Sequence, residues 1–168
     1  MRTFLKRFVI IILVLLLLVQ FYPKGNNNIS ASLSANDIST KYAVTSDVQL
    51  ILKTSCYDCH SNNTVYPWYS KVQPVAWWLN DDIKDAKKEL NFSEFATYSA
   101  RKQFRKLKEM NDEVKGGDMP LPSYTFIHGY AKLNDNQKLL LTSWITTIQD
   151  SLKAHYPMDS LISQKKPV

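Results

Sequence analysis

Apolar residues recur at three-and-four spacing over much of the chain beyond residue 46, the period of one face of an α-helix. Val48, Leu50, Ile51 and Leu52 form the first such stretch; Ser46 can cap it, and it runs into Cys56. Pro67 and Pro74 interrupt any helix, so "VYPWYSKVQP" predicts a loop, with Pro74 able to open the next helix. That helix carries Val75, Trp78, Leu79, Ile83, Ala86 and Leu90, and Ser93 can cap a further turn. A charged helix over about Ser99–Lys115 sets Phe104, Leu107, Met110 and Val114 on one face and stops at Gly116 and Gly117. "DMPLPSY" predicts an extended loop stiffened by Pro120 and Pro122. The last helix begins at Asn134, where Gln137 completes a capping-box pattern, and carries Leu140, Leu141, Trp144, Ile145, Ile148 and Leu152. The chain contains no internal repeat and no strand pair with a hairpin turn, so the domain is expected to be all-α.

The first 23 residues follow a different pattern. Arg2, Lys6 and Arg7 precede an unbroken apolar run from Phe8 to Val19, followed by Gln20, Phe21 and Tyr22. This is the pattern of an export signal or a signal anchor. The run is short for a spanning helix, although Phe21 and Tyr22 could extend it as an interfacial aromatic edge. The nearest small-residue cleavage candidates lie late, in "SASLSA", so an uncleaved N-terminal membrane helix is expected ahead of a removed peptide or a buried core helix. Either export reading puts the body on the periplasmic side of the inner membrane, anchored at its N-terminus or released if the leader is cleaved. The expected organisation is residues 1–23 as membrane segment, 24–43 as polar linker, 44–156 as folded domain and 157–168 as a loose tail.

Composition adds little until the leader is set aside. The formal net charge is +6, but four of the 21 basic residues, Arg2, Lys6, Arg7 and Lys24, precede the first acidic one, Asp37. The body therefore carries 17 basic against 15 acidic residues, which gives no argument for nucleic-acid binding. The hydrophobic fraction of 45% allows a modest core that a cofactor at its centre would help. No nucleophile–His–acid triad or phosphate loop is evident, and no enzymatic activity is expected.

The chemistry concentrates in "KTSCYDCHSNN", which holds both cysteines of the chain. A redox dithiol belongs at the start of a helix in a βαβ unit, and this pair follows a helical pattern. Structural zinc takes four ligands, commonly in short-spaced pairs, and His128 and His155 form no such pair. The third reading is C-x-x-C-H as a c-type haem attachment site: two thiols one turn apart reach two vinyl groups, and the following imidazole ligates the iron. The exported leader, the helical pattern and the absence of other cysteines favour it.

"CYDCHSNNTVYPWYSKVQPVAWWLNDDI", then "LNFSEF" and a later "GGDMPLPSY", together resemble the small haem-binding-domain family of bacterial c-type cytochromes. The resemblance covers about Val44 to Ser151. It implies a cytochrome c-like helical domain around one covalent haem c per chain, His60 as proximal ligand and a methionine on the far side.

Met119 is the expected second ligand, 59 residues after His60 in a proline-flanked loop. His128 is its competitor, because "YTFIHGY" could turn back over the site. Met110 fits a helix stripe and is expected in the core, Met158 lies in the tail, and His155 suits a helix C-terminus. Trp68, Tyr69, Trp77 and Trp78 cluster within eleven residues; Trp68 and Tyr69 are expected at the cofactor. Arg101, Lys102, Arg105, Lys106 and Lys108 predict a solvated basic helix face, with a partner-steering role as the alternative. The function these features imply is single-electron transfer by a membrane-tethered mono-haem cytochrome c with redox proteins as partners. A haem-based sensor with a labile methionine is the alternative. No small-molecule substrate is implied.

Overall fold

The computed structural model describes residues 1–25, 27–30 and 32–162. Among these the chain is helical and contains no strand: α1 (Arg2–Val19), α2 (Ile38–Lys41), α3 (Ser46–Ser55), α4 (Tyr57–His60), α5 (Val75–Glu89), α6 (Ala100–Gly116), α7 (Pro122–Ile127), α8 (Asp135–His155) and α9 (Met158–Leu161). Three 3-10 turns, Trp68–Lys71, Phe92–Thr97 and Gly129–Ala131, lie between them.

The core forms where the apolar stripes of α3, α6 and α8 meet, with α9 closing over α6. Leu52, Leu107, Leu141, Ile145, Phe92, Phe95 and Leu161 are almost fully buried there. On α8 the stripe runs Leu141, Trp144, Ile145, Ile148 and Leu152; Leu140, expected to belong to it, is exposed. A buried amide joins the layers: Gln103 accepts from the hydroxyl of Tyr42 at 2.6 Å and donates to the carbonyl of Tyr98 at 2.6 Å.

The helix ends follow their chemistry. Asn134 and Gln137 form the expected capping box, and Gly117 closes α6 with φ +86°, a left-handed conformation that costs glycine little. Thr45, not Ser46, caps α3, accepting from the Val48 N–H. Asn91, not Ser93, caps the turn that follows α5. "DMPLPSY" is extended only as far as Leu121, because Pro122 at the first helical position opens α7.

The expected spanning helix over residues 1–23 is not found. α1 has 18 residues, three of them cationic, and its twelve-residue apolar run covers about 18 Å at 1.5 Å per residue. No helix among the described residues is long and apolar enough to cross a membrane. α1 buries none of its residues, which also sets it apart from a core helix. Its end is tied to the body: the Gln20 side chain donates to the Gln73 carbonyl and accepts from the Gln73 N–H, both at 2.9 Å.

The stretch 24–43, expected to be a linker, packs in part. Ile38 is fully buried in the core, and Asn28 donates to the Ser61 carbonyl at 2.7 Å. The segment from Pro157 is not loose as far as it is described, since α9 buries Leu161 and Arg101 donates to the carbonyls of Asp159 and Ser160. Residues 163–168, the rest of the expected tail, lie outside the described residues.

Candidate functional site

Cys56 ends α3 and begins α4, and its carbonyl accepts from the N–H groups of Cys59 and His60 at 3.2 and 2.9 Å. This one-turn geometry brings both cysteines and the imidazole to one place. Both thiols are unpaired. Burial pushes the Cys56 thiol up to about 12, with Cys59 adding to it. Burial, then Asp58 and Asp82, push the Cys59 thiol up to about 11. Both therefore stay protonated at neutral pH, the opposite of the lowered thiol a redox dithiol uses. No group of three or more His, Cys, Asp or Glu among the described residues is arranged to hold a bare metal ion.

His60 Nδ1 lies 2.9 Å from the Leu90 carbonyl. A carbonyl only accepts, so Nδ1 carries the hydrogen and Nε2 keeps a free lone pair. Burial lowers the affinity of this imidazole for a second proton, and Lys106 lowers it further against the opposing pull of backbone carbonyls. "LNFSEF" is what holds this arrangement. Leu90 supplies the carbonyl, and the Ser93 hydroxyl accepts from the Asn62 N–H at 3.0 Å. Glu94 accepts from the Asn62 side-chain amide N–H, and Asn91 Nδ2 donates to Asn62 Oδ1, both at 2.9 Å.

Beside this turn lies a cavity of about 420 Å³, lined among others by Cys56, His60, Leu90, Phe92, Lys106, Met110, Val114, Met119 and Leu133. A smaller recess shares Cys56, His60 and Met119 and adds Cys59, Asp82, Leu121 and Tyr124. The 59-residue separation of His60 and Met119 thus closes around shared space. Met119 is fixed there through the end of α6, where the Glu113 carbonyl faces the N–H groups of Gly117, Asp118 and Met119 at 3.0, 3.1 and 3.3 Å.

The other expected residues divide. Tyr69 lines a recess with Cys59, Trp78 and Tyr124, whereas Trp68 is 79% exposed and lies outside these cavities. Trp77 turns to the leader, donating to the Pro23 carbonyl and meeting Tyr22 edge-on. His128 does not line the space shared by His60 and Met119; its ring nitrogens are both engaged, Nε2 with the Tyr69 hydroxyl and Nδ1 with the Tyr130 hydroxyl. His155 Nδ1 faces the Ser151 carbonyl, Met110 is buried in the core while also lining the cavity, and Met158 is exposed.

The basic face expected on α6 is solvated at Arg101, Arg105 and Lys108, but Lys106 turns inward. Lys106 is 5% exposed and paired with Glu89 and Glu109, both at 2.7 Å, on the cavity wall. Arg105 pairs with Glu109, Lys108 with Asp112, and Lys102 sits over the Tyr98 ring. Sequence reasoning gave no site role to Lys106, Leu90, Asp58 or Tyr124. Lys106 lies two residues after Phe104 and one before Leu107, and that nearness to the apolar stripe was the available signal.

No curated protein and no solved structure matches the chain. Residues 14–147 match the model of a family described as a haem-binding domain, which spans the cysteine turn, "LNFSEF" and Met119 alike. The chain belongs to the haem-binding domain family, and haem binding is its function at this level.

Proposed function

We propose that this domain is an electron-transfer cytochrome of the c type, with one haem held per chain. Cys56 and Cys59 attach it. Each thiol would hold one vinyl group through a thioether, its hydrogen passing to the neighbouring vinyl carbon with nothing released. His60 Nε2 and Met119 Sδ would hold the iron, which would supply a one-electron couple. The chain's own work is to position and to insulate: the Leu90 carbonyl orients His60, and Leu90, Phe92, Met110, Val114 and Leu133 present an apolar wall.

The observation that carries this reading is His60. Its Nδ1 is committed to a carbonyl and its Nε2 is free, on a side chain that shares a cavity with Cys56 and Met119. Two unpaired thiols on the same turn and a cavity within the size range of cofactor sites fit the group. With His60 and Met119 both holding the iron, the reading would include no catalysis and no small-molecule substrate. The partners are redox proteins, and the near-neutral body gives no reason to add nucleic acid. The leader serves export: twelve apolar residues behind three cations match a signal-peptide core of roughly 7–15 residues. Attachment then takes place on the periplasmic side.

A redox titration of the purified protein, with carbon monoxide added to the reduced form, tests this. A single one-electron wave and slow, incomplete carbon monoxide binding are expected. Rapid, complete binding points instead to a haem-based sensor in which Met119 leaves easily.

A further inference from the structure

We propose that Tyr124 is the positioning residue that keeps Met119 at the crevice, by tying the methionine segment to the cysteine motif; this rests on the reading of Met119 as second ligand. Met119 lies between α6 and α7, and the Glu113 carbonyl secures its α6 side. Its α7 side has little apolar packing. α7 is six residues long and buries none of them, with Phe126 90% and Ile127 57% exposed. What holds α7 to the cysteine turn is the Tyr124 hydroxyl, which donates to Asp58 Oδ2 at 2.7 Å.

Asp58 stands between the two cysteines and is itself held independently of Tyr124. Its Oδ1 accepts from the Val65 N–H at 3.0 Å, and its carbonyl accepts from the Thr64 hydroxyl at 2.6 Å. The carboxylate is therefore a fixed acceptor, and a hydrogen bond to a charged acceptor is among the strong ones. The Tyr124 ring is stacked on His128 at 4.5 Å and 28°, and Tyr69 and Tyr130 hold His128 from either side. His128 thus acts as the backing of Tyr124, not as an iron ligand. The structure links one strand of contacts from Tyr69 through His128 and Tyr124 to Asp58, and so sets the attachment turn and the methionine segment in one frame.

Losing a hydrogen bond to a charged group changes an equilibrium by about tenfold or more. The test compares three holoproteins: wild type, Tyr124→Phe and Leu161→Ala. Tyr124→Phe keeps the ring stacking and removes the hydroxyl; Leu161→Ala hollows the core at α9, away from the crevice. In each, the sulfur-to-iron charge-transfer band of the ferric form and the rate of carbon monoxide binding to the ferrous form are read. The expected result is a clear band in wild type, a weakened band with about tenfold faster binding in Tyr124→Phe, and wild-type values for both in Leu161→Ala despite its lower Tm. An unchanged band and rate in Tyr124→Phe overturns the proposal, as does an equal effect in Leu161→Ala. A wild-type protein without the band overturns methionine ligation itself, which is seen before either variant is compared.

Discussion

The Leu90 carbonyl takes the Nδ1 hydrogen of His60, and this bond is the reason the imidazole presents its other nitrogen with a free lone pair. "LNFSEF" is legible as a motif in the sequence, but its work becomes physical only when Asn91, Ser93 and Glu94 are seen pinning Asn62 beside His60. Met119→Ala removes the thioether and is expected to abolish the ferric charge-transfer band and lower the reduction potential; an unchanged visible spectrum contradicts Met119 as ligand. Lys106 gives a second prediction at this scale. Burial works against its charge, but hydrogen bonds to Glu109 and Glu89 outweigh that cost, so its pKa is raised. A raised pKa keeps the lysine charged below its ordinary value of about 10.4 and delays deprotonation to still higher pH. The charge on the cavity wall is therefore constant across the neutral range, and under the proposed function it would favour the reduced iron. Lys106→Met is expected to lower the potential by an amount on the order of tens of millivolts, with the same difference at pH 6 and pH 8, in a spectroelectrochemical titration. An unchanged or raised potential contradicts this role.

Among the elements, α6 and α8 are the most legible, because their stripes are long and their ends carry strong signals: Ser99 and Gly117 on one, the Asn134–Gln137 box on the other. Shorter pieces were not readable in the same way. α7 and α9 bury one residue or none, so no apolar period marks them, and α7 depends on Pro122 at its start and on one tyrosine. α5 shows a third situation. Its stripe reads as core, yet of it only Ile83 and Leu90 are buried, while Val75, Trp78 and Leu79 line a recess with Cys59. A helix face that lines a recess and one that packs on protein have the same pattern. The turn after α6 is testable as an element. A Cβ on Gly117 meets nothing closer than Lys138 Nζ at 3.8 Å, so the cost of Gly117→Ala is that of the left-handed backbone alone. About 1 kcal/mol, or roughly 3 °C in Tm by calorimetry, is expected. No loss of stability contradicts the assigned strain.

For the whole molecule, the fold class follows from periodicity, but the extent of the body does not. Ile38 and Leu161 look like parts of polar termini in the sequence, and both are buried against the three-helix core. The leader fails as a spanning helix for a simple reason of length, since its apolar run stops at Val19 and its cations lie inside the helix. The cavity beside the cysteine turn is the molecule's main dependence on a second component. Its apolar lining, from Leu90 to Leu133, packs on the core on one side, and a bound group would add contacts on the other. A protein in which attachment is blocked by replacing both cysteines with serine is expected to unfold at markedly lower denaturant concentration than the loaded protein, followed by circular dichroism. Equal midpoints contradict a structural role for the group.

The most direct measurement is extraction of the purified, loaded protein with acidified acetone, followed by intact-mass analysis of the protein that remains. Covalent attachment through Cys56 and Cys59 predicts that colour stays with the protein, that its mass exceeds the chain's by one haem, and that replacing both cysteines with serine abolishes this. Haem recovered in the acetone, with a chain of unmodified mass, would contradict a c-type site.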